Sequence, residues 1–288
     1  MHPCVVVWLE NQDYLSSTFI RDPQNFSIEY GSGSCVGTLG IDVLKISDLS
    51  YSTQKFGLAS RIADIFGYQP IDGILGLGWP SLAVDNVIPP MQNLLSQLDK
   101  PLFTVWMANT NTSGNYPIPS AGQIIFGSTN TPKCDPNFAY VPLTSKSYWQ
   151  FSLDNFWIGT SGHTKPQQAI SDTGTSFLGG PLIQIGMIVS ATHAVMDFQN
   201  GIYVVDCEAK NLPDMIFTIG GQKYHVPAKE YVLDVGLNNT KCALTIFDMD
   251  MGGFGPDWIF GATFIRTYCN VYDIGGGRIG FSKSKSTL

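Results

Sequence analysis

The sequence predicts an all-β protein with minor helices, and three observations carry that prediction. Short apolar-polar alternations recur along the chain, separated by Gly, Asn, Ser and Pro, which is the pattern of half-buried strands joined by turns. Gly at 30 and Pro at 17 supply the turn residues. Only 14% of residues are charged, against roughly 25% in an average globular domain, so long charged helices and coiled coils are excluded. At 288 residues, and roughly 150 residues per domain, the chain has room for two domains or one large one. Its 44% apolar and 12% aromatic content supplies a large core and excludes intrinsic disorder.

The elements follow in chain order. Residues 5–9 are apolar and are followed at once by Glu10, which lacks the basic start, the long apolar stretch and the small-residue cleavage site of a secretory signal; no export signal is expected. Phe26-Ser27-Ile28-Glu29-Tyr30 alternates, Gly31-Ser32-Gly33 turns, and 35–46 alternates again, predicting a β-hairpin with a glycine-rich tip. Further strands are predicted over 102–107, 123–126, 151–158, 202–205, 216–219, 258–260, 270–272 and 279–281. Helices are expected over 90–98, which opens with proline, and 181–195, with a short turn at 228–231. Pro132, Pro136 and Pro142 bracket a connection near 131–140, which divides the chain into 1–133 and 134–288.

Charge and motif content narrow the function. The net charge is −7 with no Lys/Arg cluster, so nucleic acid is not an expected partner. No apolar run approaches the roughly 18 residues of a membrane span. The four histidines, His2, His163, His193 and His225, show no ligand spacing, and neither H-E-x-x-H nor C-x-x-C occurs, so no metal or other cofactor is expected. G-x-S-x-G is absent. Gly76-x-Gly78 runs into Trp79-Pro80 rather than a phosphate-cradling helix. Few basic groups mean little self-repulsion once carboxylates are protonated, which suits work in acid. Of six cysteines, Cys207 with Cys242 and Cys134 with Cys269 are candidate disulfides, leaving Cys4 and Cys35; spacing does not choose among the pairings. Glycosylation sequons stand at Asn25, Asn111 and Asn238, and with the cysteines they favour an oxidising, secretory setting.

The sharpest chemical signal is Ile170-Ser171-Asp172-Thr173-Gly174-Thr175-Ser176-Phe177-Leu178. It places a carboxylate on a glycine turn between apolar strand residues, where hydroxyls and backbone N–H groups can hold it; an ordinary Asx turn is the plainer reading. Ile74-Leu75-Gly76 and Ile259-Phe260-Gly261 form a second feature, two apolar pairs each closed by glycine.

Together these segments resemble the pepsin-like aspartic proteases of the cathepsin D type, from about Leu15 to the C-terminus. The matching stretches are Tyr30-Gly31-Ser32-Gly33-Ser34, IDGILGLG at 71–78, YWQFSLD at 148–154, SDTGTS at 171–176, LPDMIFTIGG at 212–221 and WIFGATFIR at 258–266. The resemblance implies a bilobal β fold with a cleft between the lobes and an Asp from each. It implies Asp172 as the catalytic residue of the second lobe, with Thr173, Gly174, Thr175 and Ser176 orienting it and binding substrate backbone. It implies a flap at Tyr30, Gly31 and Ser32, and an apolar cleft lined by Tyr30, Ile74, Tyr148 and Ile259. Polypeptide substrates, pepstatin-like inhibitors, a monomeric state and an extracellular or lysosomal location follow from the same resemblance.

One feature departs from the family pattern. Asp-Thr-Gly occurs once and Asp-Ser-Gly not at all. The stretch from Asp172 to Gly261 is longer than everything preceding Gly76, so the matching first turn is expected upstream of Met1, with the first lobe incomplete. Asp13 and Asp22 lie in polar, loop-like surroundings, and the family carries an Asp at the position of Asp72 without catalytic use. The sequence as given is therefore expected to be inactive alone. Three outcomes are consistent with it: an endopeptidase with a longer natural chain, a non-catalytic peptide-binding isoform, and a self-associated pair sharing two Asp172 residues.

Overall fold

The computed structural model describes residues 5–7, 16–30, 33–67, 71–108, 121–238, 240–249, 252 and 255–285. They fall into two compact units, residues 1–101 with 146–148, and residues 102–145 with 149–288.

The first unit is built on one five-stranded sheet, in spatial order Ile20–Tyr30, Gly33–Ile46, Leu49–Ile62, Val5–Val7 and Gly73–Leu75. The predicted hairpin is present, with Tyr30 paired to Gly33 across its end; its tip residues Gly31 and Ser32 lie outside the described residues. Alternation places Phe26 and Ile28 inward, where they meet Cys35, Leu39 and Val87. Gly57 is needed here, because a Cβ would lie 2.6 Å from the Phe26 ring. Leu49–Ile62 was not expected, and its composition explains why: its buried positions include the polar Gln54. Gln54 is satisfied by donating to the Ile88 carbonyl at 3.0 Å and accepting from Asn93 at 2.9 Å. The helix expected over 90–98 is an α-helix at Pro90–Leu94 followed by a 3₁₀ turn at Leu95–Gln97.

The second unit layers several sheets around an aromatic core. One runs Gly122–Phe126, Leu102–Met107, Tyr268–Asp273, Arg278–Lys283, Ala139–Pro142. Leu102–Met107 joins this unit by pairing with Tyr268–Asp273 on one side and Gly122–Phe126 on the other. Another sheet contains Ile246–Met249, Leu178–Pro181, Trp258–Phe260, Gln167–Ser171 and Trp149–Leu153 in that order. The strand expected over 151–158 is two strands, broken at Asp154; Asn155–Ile158 joins a different sheet beside Met215–Ile219. The break is fixed by the Asp154 N–H donating to the Thr218 carbonyl and its carboxylate accepting from the Gly221 N–H, both at 2.8 Å.

The helix Leu182–Thr192 ends at His193 in the left-handed region (φ 55°), and the strand Val195–Asp197 takes over its expected last residue. Phe217 stands at the centre of the core, with ring centroids 4.8 Å from Phe260 and 5.3 Å from Trp258. Disulfides join Cys134 to Cys269 and Cys207 to Cys242. Cys35 is buried in the first unit, and Cys4 lies outside the described residues. No described helix is long and apolar enough to cross a membrane.

Candidate active site

Asp172 follows the strand Gln167–Ser171, which runs parallel to Trp258–Phe260 with Ile170 beside Ile259 and Ser171 beside Phe260. The ladder continues one step, as the Asp172 N–H donates to the Phe260 carbonyl at 3.0 Å. The chain then turns. The Gly174 N–H donates to Asp172 Oδ1 at 2.9 Å, and the Thr175 hydroxyl donates to Oδ2 at 2.7 Å. Both carboxylate oxygens are therefore held by the turn that follows them. The Asp172 carboxyl is held below its ordinary pKa although burial pushes it up, and the Thr175 and Gly174 hydrogen bonds are among the causes that lower it.

The turn is locked from beneath by the segment after Phe260. The Ala262 N–H donates to the Thr175 carbonyl at 2.8 Å, and the Thr263 hydroxyl donates to the Ser176 carbonyl at 3.2 Å. Gly261 passes so close that a Cβ would stand 2.2 Å from the Phe177 carbonyl oxygen and 2.3 Å from that of Thr175. The glycine closing the Ile259-Phe260 pair is thus a requirement of the turn above it.

The structure gathers Asp172, Thr173, Gly174, Thr175, Ser176 and Ile259 into one place. Thr173 is half-buried and Gly174 exposed. Thr173 borders a cavity of about 460 Å³ lined also by Val105, Trp106, Ile124, Ala262 and Arg266. Arg266 is buried, donating from Nη2 to the Glu230 carbonyl at 2.9 Å. Ile74, on the strand Gly73–Leu75, and Tyr148 belong to the first unit. Tyr30 ends the strand Ile20–Tyr30, with its side chain outside the described residues, as are Gly31 and Ser32. Asn25 is exposed at a bulge of that strand; Asn111 and the Asn238 side chain lie outside the described residues. Among the described residues, no group of three His, Cys, Asp or Glu side chains could hold a metal ion.

Sequence reasoning missed the residues behind the turn. Ser171, Asn270 and Tyr272 are buried together, with the Ser171 hydroxyl 2.8 Å from both Asn270 Oδ1 and the Tyr272 hydroxyl. Two signals were present: a polar Ser171 in an otherwise apolar strand end, and polar residues two apart on Tyr268–Asp273.

The family model for eukaryotic aspartyl proteases matches residues 11–284. The chain belongs to the eukaryotic aspartyl protease family. Among relatives of this aspartyl protease chain, Aspartic protease 1 of Caenorhabditis elegans is 55% identical over 271 residues, covering 93% of this chain and 68% of the relative. Aspartic protease 17 of the same organism is 48% identical, covering 93% and 69%. Human gastricsin is 34% identical over 276 residues, covering 93% and 69%. The fold expected of the family, mostly strand with few helices, is the one observed.

Proposed function

We propose that Asp172 is one carboxylate of the catalytic pair of an aspartic-type endopeptidase acting on polypeptides. The observation that carries this reading is the carboxylate itself, held on both oxygens by Gly174 and Thr175 within a chain of this family. In such a pair the two carboxyl groups share one proton, because like charges at that separation do not both ionise; aspartic proteases are the type case. The ionised member takes a proton from a water as its oxygen bonds to the peptide carbonyl carbon. The protonated member gives its proton to the carbonyl oxygen, and the tetrahedral adduct breaks its C–N bond with a proton delivered to nitrogen. The turn's part is to keep Asp172 from rotating.

Tyr30, Gly31 and Ser32 are assigned to a flap, and Ile74, Tyr148 and Ile259 to an apolar substrate surface, with lobes at 1–133 and 134–288. The two disulfides support an oxidising compartment, extracellular or lysosomal. Glycans on Asn25, Asn111 and Asn238, a monomeric state and pepstatin-like inhibition belong to the same reading.

A second reading is favoured by one observation: the sequence contains a single Asp-Thr-Gly and no Asp-Ser-Gly. On that reading residues 1–288 bind peptides without cleaving them. Acid hydrolysis of a denatured protein substrate, with the protein isolated from its natural source and its intact mass measured, separates the two. The endopeptidase reading expects cleavage, and expects Asp172→Asn in a recombinant copy of that same chain to lower kcat by at least about 10³-fold. Cleavage that survives Asp172→Asn overturns the role of Asp172. Peptide binding without cleavage establishes the second reading.

A further inference from the structure

Successive side chains of a strand point to opposite faces, so the residue before Asp172 points away from the turn and into the core. That residue is Ser171, and it is 2% exposed. Its hydroxyl donates to Asn270 Oδ1 at 2.8 Å. A serine hydroxyl has one hydrogen, so its 2.8 Å contact with Tyr272 uses the tyrosine's hydrogen. Asn270 in turn donates from Nδ2 to the Tyr268 carbonyl at 2.8 Å. The result is a directed chain of hydrogen bonds, Tyr272 to Ser171 to Asn270 to the backbone at Tyr268, in which every bond polarises the next.

The chain of bonds is anchored. The Tyr272 ring stacks on Phe103 at 4.6 Å and meets Trp149 edge-on at 5.0 Å, so its oxygen cannot swing away. It also joins two sheets. Gln167–Ser171 pairs with Trp258–Phe260 and Trp149–Leu153, whereas Tyr268–Asp273 belongs to the sheet of Leu102–Met107. Backbone ladders therefore do not fix the strand end at Ser171 against the other sheet; this side-chain chain does. Burying three polar groups gains nothing over well-packed apolar ones for stability alone, which points to a demand for position. Burial pushes the Tyr272 hydroxyl far above its usual pKa; the Ser171 hydrogen bond opposes that rise and the Asp172 charge adds to it. It stays a donor throughout the pH range of interest.

We propose that Tyr272, Ser171 and Asn270 are positioning residues for Asp172, setting the strand end so that its carboxylate meets the Gly174 N–H and the Thr175 hydroxyl. The proposal rests on the assignment of Asp172 as a reacting group, but its test does not need proteolysis. In the 288-residue chain, NMR gives the Asp172 carboxyl titration midpoint and the exchange rate of the Asp172 amide. Tyr272→Phe and Ser171→Ala are each expected to raise the midpoint by roughly half a pH unit, because hydrogen bonds favouring the ionised form loosen. Each is also expected to speed Asp172 amide exchange about tenfold relative to core amides such as that of Phe217.

The double variant is expected to do no more than Ser171→Ala alone, since the bonds form one chain, and Ser171→Thr, which keeps the hydroxyl, is expected to restore both readings. If Tyr272→Phe does not fold, the Ser171 variants read the same quantities. An unchanged midpoint, or Asp172 exchange that moves only in step with the core amides, overturns the proposal. A shifted midpoint in a chain that cleaves nothing would overturn the endopeptidase reading and leave the positioning role standing.

Discussion

The unit of residues 1–101 and the unit that carries Asp172 use the same kind of strand to enclose different amounts of core. In the first, Gly33–Ile46 and Leu49–Ile62 are 14 residues each, yet among the described residues the buried cluster beside them is Phe26, Ile28, Cys35, Leu39 and Val87, with Ala59 and Ile62 only partly buried against it. In the second, strands are short and dense. Leu102–Met107 has buried side chains along all but its last position, and Phe217 alone meets the rings of Phe156, Trp258, Phe260 and Phe264. The lesson is about where a reacting group can be kept still. Long ribbons over a thin core bend, whereas a close-packed core transmits any displacement as strain. Asp172 stands on the second kind of scaffold.

The largest effect expected from breaking this contrast is removal of the Cys134–Cys269 disulfide. It closes a loop with a sequence separation of 135, against 35 for Cys207–Cys242. Chain entropy then assigns it roughly 5 kcal/mol and the shorter one roughly 4 kcal/mol. Cys134→Ala with Cys269→Ala is expected to lower the unfolding midpoint of the second unit, read by the near-UV signal of its buried tryptophans. Hydrogen exchange at Phe26 and Ile28 reports the first unit and is expected to hold. Equal loss in both units would show that their stabilities are not separate.

A smaller effect separates two glycines. A Cβ at Gly261 meets backbone carbonyls of Thr175 and Phe177, while one at Gly57 meets the side-chain ring of Phe26. A ring can shift and a locked turn cannot. Gly261→Ala is expected to cost about 3 kcal/mol or more, and Gly57→Ala about 1–2 kcal/mol, in denaturant midpoints. The reverse order would mean that the turn beneath Asp172 is the softer of the two.

The same contrast governs what could be read from sequence. The Asp-Thr-Gly turn was legible because its chemistry is local: Asp172, Gly174 and Thr175 are near neighbours in the chain, and Gly261 was marked by the apolar pair before it. The hairpin around Tyr30 was legible from alternation and glycine. Leu49–Ile62 was not, because half of its positions are only half-buried and polar residues such as Gln54 and Lys55 interrupt the apolar alternation that betrays a strand. The break at Asp154 was hidden because apolar alternation continues on both sides, and the bonds that divide it come from Thr218 and Gly221. The Ser171–Asn270–Tyr272 chain was hidden for the same reason: its members meet only after two sheets pack.

The smallest expected effect concerns acid, where each unit carries a partly exposed aspartate with a lowered pKa. Asp22, in the first, is held down chiefly by the Lys55 ammonium at 2.7 Å and then by the Gln24 N–H. Asp197, in the second, is held down chiefly by the Asn200 side chain and, against a rise from burial, also by the Asn200 and Gln199 N–H groups. A carboxylate whose folded pKa lies below its unfolded value contributes stability that is complete above the unfolded pKa, near 3.9. That contribution fades as pH falls through the folded pKa. Both contributions are therefore present at pH 6 and shrink below about pH 4, and solvent screening keeps them slight. Asp22→Asn is expected to flatten the acid limb of the first unit's stability profile and leave that of the second unchanged. Asp197→Asn is expected to do the converse, each read by hydrogen exchange against pH. A profile for Asp22→Asn that runs parallel to that of the unaltered chain would mean that Lys55 holds Asp22 no more tightly in the fold than in the unfolded chain.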